Sequence, residues 1–142
     1  MTVTQTTTIV PDVYPTLRYQ DAMAAIEWLE NAFGFKRVVV YPDGDGGVAH
    51  AELAFGNGAV MLGSLKQAAG QARTNGGEGI SEIYLRVDDV QSHFNRAKAY
   101  GAEIVRDFQP TEYDTAGTYS ARDPEGHVWS FGSYGPELTL TD

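Results

Sequence analysis

The apolar positions of this chain change period in a fixed order, and then do so a second time. Residues Tyr14 to Tyr19 alternate as a strand does, and Asp21 follows where a helix N-cap belongs. The run AMAAIEWLENAF carries Met23, Ile26, Leu29 and Phe33 at helical spacing, and Gly34 ends it. FKRVVVY reads as a β-branched strand and PDGDGG as a hairpin turn. VAHAELAF then alternates as a half-buried strand, with Ala49, Ala51, Leu53 and Phe55 on its apolar side. Asn57-Gly58 turns the chain into a last strand, AVMLGS.

The second round repeats the first. EIYLRV predicts a strand, and DVQSHFNRAKAYG a helix with Val90, Phe94 and Ala97 inward. AEIVRDF, TYSARD and HVWSFGSY supply three more strands. TLRYQDA matches YLRVDDV, with Arg18 and Arg86 standing 68 residues apart (86 − 18 = 68), and NGAVMLGS matches EGHVWSFG at the same spacing. Each half is therefore a βαβββ unit. Module one covers about residues 12–64, module two about 80–135, and a linker of about 65–79 joins them within one domain. TVTQTTT at the start and LTLTD at the end read as poorly ordered.

A duplicated βαβββ unit, opened by LRYQDAMAAIEWLENAFGFK and closed by RDPEGHVWSFGSY, resembles the vicinal oxygen chelate superfamily. That group holds glyoxalase I, extradiol dioxygenases and bleomycin-resistance proteins; the closing turn is similar to the PhnB type. The resemblance implies an α+β fold in which two curved mixed sheets surround a concave cavity, with helices outside, and it implies a homodimer. In metal-dependent members the ligands lie on the first and last strand of each module. At an offset of 68 those places fall on Tyr14, Leu62, Glu82 and Ser130. Only Glu82 is a good ligand: leucine cannot coordinate, and neutral Tyr or Ser is a poor partner for Zn²⁺, Ni²⁺ or Fe²⁺. No metal or other cofactor is expected.

Strand alternation fills the expected cavity. Thr16 and Arg18 join Tyr14, while Tyr84 and Arg86 join Glu82. Thr118, Ser120 and Arg122 precede the closing turn, and Val128 joins Ser130 beyond it. His50 and Glu52 point the same way, as ligand contacts or as an acid–base pair; the plainer reading is a polar pair on a solvated sheet face. Salt bridges to Asp21, Asp89 and Asp123 are the plainer reading of Arg18, Arg86 and Arg122. Leu17, Ile83, Leu85, Trp129 and Phe131 read as core, His93 as a solvent-facing helix residue, and His127 as the start of a strand.

Composition narrows the functions. A net charge of −9 opposes phosphate-backbone binding, so no nucleic-acid partner is expected. The chain has no cysteine, which removes thiolate sites and disulfides and leaves the HAE triplet without the partner a zinc deaminase requires. DGDGG lacks the spaced acids of a calcium loop. No stretch approaches the ~18–20 apolar residues of a membrane span, and a cytoplasmic location is the default. These features favour a protein that binds a small polar organic molecule without metal, for sequestration or resistance. The alternatives are a divalent-metal enzyme of lyase, isomerase or dioxygenase type, and a metal-free enzyme using His50 and Glu52.

Overall fold

The structure is a computed structural model, and it describes residues 9–11, 13–65, 82–110 and 115–135. Most of the linker and both ends of the chain lie outside these residues. Module one runs β1 (Thr16–Tyr19), α1 (Ala22–Trp28), a π-helical turn (Leu29–Phe33), β2 (Lys36–Pro42), β3 (Val48–Phe55) and β4 (Gly58–Ser64). Module two runs β5 (Glu82–Arg86), α2 (Val90–Ala99), β6 (Glu103–Gln109), β7 (Thr118–Arg122) and β8 (Val128–Gly132). The sheets have equivalent orders, β1-β4-β3-β2 and β5-β8-β7-β6, with one parallel pair in each. The α+β fold of two βαβββ modules is as the sequence predicts.

Both helices start on the expected aspartates. The Asp21 carboxylate accepts from the Ala24 N–H and the Asp89 carboxylate from the Ser92 N–H. The inward stripe of the first helix is Ala22, Ala25, Ile26, Leu29 and Phe33, whereas Met23 is 40% exposed. Met23 is the larger side chain, but it sits about 100° of helix rotation from Ala22, off the stripe. Gly34 closes this segment at φ +89, and Arg96 of α2 reaches across to donate to the carbonyls of Asn31 (3.1 Å) and Glu30 (3.2 Å).

Three local insertions shape the sheets. Val38 in β2 and Val105 in β6 are the extra residues of matching bulges, and they stand 56% and 47% exposed. Ala49 is the extra residue of a bulge in β3, so Val48 rather than Ala49 turns into the core beside Ala51 and Leu53. The third insertion lies between the last two strands. Beyond the matched pairs Ala54–Ala59 and Arg122–Val128, module one turns with four residues and module two with five. The repeat offset therefore becomes 69 on the last strand (130 − 61 = 69), and Ser130 corresponds to Met61 rather than Leu62.

One core serves both modules. Phe33 and Phe35 of module one lie edge-on to Phe131 (4.8 Å) and Trp129 (5.4 Å) of module two, and Phe55 also reaches Phe131. The helix-covered faces of the two sheets thus share a core, and their other faces turn away from it.

Candidate functional site

On the outward face of module one the strand register sets a single row. Thr16 is opposite Met61, Met61 opposite Glu52, and Glu52 opposite Val39. Next to this row lies a cavity of about 310 Å³, lined by Tyr14, Glu52, Met61, Val38 and Ala54, with Ile9 to Pro11 as a further wall. Among the described residues of that lining, Glu52 is the one that carries a charge. Its Oε2 lies 2.9 Å from His50 Nε2, and the two side chains are 34% and 40% exposed. The His50 ring in turn stacks on its cross-strand partner Tyr41, with centroids 6.3 Å apart. The expected His50–Glu52 pair is thus formed, and it reaches the cavity through Glu52.

Module two carries the equivalent row. Tyr84 is opposite Ser130, and Ser130 opposite Ser120. The two serine hydroxyls lie 2.7 Å apart and both residues are buried. The Tyr84 hydroxyl donates to the Tyr134 carbonyl at 2.7 Å and lies over Gly132, where an added Cβ would meet that hydroxyl at 2.6 Å and the ring at 3.2 Å. Glu82 is exposed at the start of β5, opposite Val128.

Other expected site residues go elsewhere. Leu62 is 1% exposed in the core, because β4 pairs it with Leu17 and Ala51 on the helix-covered face. Arg122 pairs with Glu103 at 3.0 Å and lines a separate cleft of about 360 Å³ beside Trp28 and Asp123. Arg86 pairs with Asp88, and Arg18 lies over Gly63. The anticipated partners Asp21 and Asp89 are helix caps instead, and Asp123 is enclosed by other donors.

His93 is not on the solvent side. Its Nε2–H donates to the Phe33 carbonyl (2.8 Å), its Nδ1 lies 2.6 Å from the Tyr119 hydroxyl, and its ring packs on Phe131. Burial pushes its pKa below the ordinary histidine value; the Phe33 carbonyl opposes that shift and the Arg96 charge adds to it. Burial likewise raises the Tyr119 hydroxyl, keeping it a neutral donor.

The corrected register gives the family's ligand positions as Tyr14, Met61, Glu82 and Ser130. A phenol, a thioether, one carboxylate and a hydroxyl already engaged by Ser120 do not fit a catalytic divalent cation. Sequence reasoning missed Met61, Val38, Tyr41 and Ile9 to Pro11. The extra residue of the DPEGH turn was a legible signal for Met61; the bulge that exposes Val38 left no mark in a run of three valines.

Known proteins bear on this arrangement. Residues 13–131 match the family described as the Glyoxalase/Bleomycin resistance protein/Dioxygenase superfamily. An uncharacterised protein of Mycobacterium bovis is 31% identical over 140 residues, covering 94% of this chain and 90% of its own length. The crystal structure of TioX from Micromonospora sp. ML1 is 33% identical, covers 84% of this chain and 96% of its own, and superposes with a TM-score of 0.65. The fosfomycin resistance protein FosX from Mesorhizobium loti shares the fold at 14% identity, with a TM-score of 0.61 over 90% of this chain and 94% of its own.

Proposed function

The chain belongs to the glyoxalase/bleomycin resistance protein/dioxygenase superfamily, and within it we propose a metal-independent protein that binds a small organic molecule at the module one cavity, for sequestration or resistance. The observation that carries this reading is the cavity itself: Tyr14, Glu52 and Met61 meet at its wall, and the family's ligand positions bring a single carboxylate. Its volume of about 310 Å³ suits a small molecule, or one end of a larger one. Membership of the PhnB type, drawn from the closing turn, is part of the same proposal.

A homodimer is part of the proposal. The outward faces of both sheets lie away from the shared core, so a second copy set against them would give each cavity another wall. Light scattering on the purified protein tests this, with twice the chain mass of 15.4 kDa expected.

Metal analysis with a thermal-shift screen tests the binding reading. Substoichiometric metal is expected, together with ligands that raise the melting temperature. Ligand at about 100 times its Kd adds about 2.7 kcal/mol. Stoichiometric Zn, Ni or Fe retained through Glu82 overturns the reading in favour of a metal enzyme. The 2.9 Å His50–Glu52 contact supports a second reading, acid–base chemistry without metal, which turnover lost in His50→Gln would reveal.

A further inference from the structure

We propose that the module one cavity selects a small amphiphilic cation, an ammonium or amidinium group on a compact apolar body, and that Glu52 sets this preference. The inference rests on the small-molecule reading above and names the class of ligand.

Three observations carry it. Among the described residues, Glu52 is the only charged one of a lining that is otherwise mostly apolar, with Ile9, Val10, Val38, Ala54 and Met61 around it. Its cross-strand neighbours, Val39 and Met61, bring no positive charge. The basic residues of module one are placed elsewhere: Arg37 pairs with Glu30 at 2.8 Å, Arg18 lies over Gly63, and Lys36, opposite Ala54, does not line the cavity.

The consequence follows from desolvation. A ligand settling on the apolar walls strips water from the Glu52 carboxylate, of which His50 engages one oxygen. A cationic head compensates that loss by pairing with the other oxygen. A neutral head compensates it in part, and an anionic head adds repulsion. The chain's net charge of −9 attracts the same class of ligand from a distance, within the range that salt allows. Ile9 (53% exposed) and Val10 (80% exposed) offer apolar surface that the ligand body can cover.

The test uses three probes with one body and different heads: 2-phenylethylamine, 2-phenylethanol and 3-phenylpropanoate. Each is titrated into the full chain at neutral pH and low salt, followed by amide chemical shifts. The amine is expected to bind about tenfold tighter than the alcohol, with the carboxylate weakest. Glu52→Gln should abolish the preference for the amine and leave the alcohol within about threefold. Val38→Ala should weaken all three alike. Raising the salt on the wild-type chain should weaken the amine alone, which keeps the test valid should Glu52→Gln fold poorly. An alcohol or carboxylate that binds as tightly as the amine overturns the assignment. So does a preference that survives Glu52→Gln, or an amine that fails to saturate. In each case other ligands from the thermal-shift screen still test the cavity. If neither these probes nor any ligand from that screen shifts residues of the cavity wall, the small-molecule reading itself falls.

Discussion

The Tyr19 hydroxyl donates to the Asp123 carboxylate at 2.6 Å, across the seam between the two modules. Asp123 is buried and accepts three further bonds, from Trp129 Nε1 (3.1 Å) and the N–H groups of Glu125 (3.0 Å) and His127 (3.1 Å). Burial, reinforced by the Asp123 charge, raises the Tyr19 pKa well above that of free tyrosine, so the hydroxyl remains a donor. The rest of the turn grips the same edge of module one. Glu125 accepts from the N–H groups of Gln20 (2.5 Å) and Asp21 (2.8 Å), while His127 Nε2 donates to the Arg18 carbonyl (3.2 Å) and its ring meets Tyr19 edge-on. The DPEGH turn is thus a clamp between the modules.

Removing the two ends of that bond should have unequal effects. Tyr19→Phe deletes one hydrogen bond to a charged group and should cost about 1.5–3 kcal/mol. Asp123→Ala strands a buried hydroxyl, an indole N–H and two backbone donors, and should cost about 3–5 kcal/mol. Chemical denaturation of both variants checks the order. Equal losses would mean that the other three donors find water.

Two glycines at equivalent helix ends separate backbone strain from contact. Gly101 has φ +94 and no atom within 4 Å of an added Cβ, so Gly101→Ala should cost only the left-handed conformation, about 1–2 kcal/mol. Gly34 has φ +89, but a Cβ there would sit 3.1 Å from Arg96 Nη1. The guanidinium, held by the Glu30 and Asn31 carbonyls, would have to give by a few tenths of an ångström, so Gly34→Ala should cost up to about 1 kcal/mol more than Gly101→Ala. Denaturation midpoints of the pair, and the same comparison on an Arg96→Ala background, measure the difference.

The fold was legible because each local signal agreed with the repeat: Asp21 and Asp89 cap, Gly34 and Gly101 stop, and the strands alternate between them. The site was legible only in part. His50 and Glu52 sit between bulges that leave their own register intact, so alternation placed them correctly. Leu62 was misplaced because one residue inserted in a turn inverts the face of the strand that follows. His93 was misread because its partners, the Phe33 carbonyl and Tyr119, come from elements that sequence spacing does not bring together.

The serine pair at the family's ligand position offers a test of whether Ser130 belongs to the scaffold. Ser120→Ala or Ser130→Ala alone leaves a buried hydroxyl without its partner and should cost about 1–3 kcal/mol. The double variant removes both polar groups, so it should be clearly less destabilised than the two single losses together. A double-mutant cycle by urea unfolding reads the coupling. Additive losses would show that each hydroxyl has another partner.

His93 predicts the pH dependence of stability. Folded, its Nε2–H is spent on the Phe33 carbonyl and its Nδ1 accepts from Tyr119, so a second proton would turn the Tyr119 bond around and bury a charge inside the aromatic seam. Burial lowers its folded pKa, while the unfolded chain keeps the ordinary value of about 6.5. Below that value the unfolded state binds the proton and the folded state does not, so stability falls as pH drops from about 6.5 towards the folded pKa. Above about pH 7 this contribution is constant. His93→Gln removes the titration and should flatten this part of the profile, at the cost of lower stability throughout. Urea midpoints between about pH 5 and 8, for both proteins, show the difference. A profile with the same slope in wild type and variant would assign the acid sensitivity to other groups and leave His93 as packing alone.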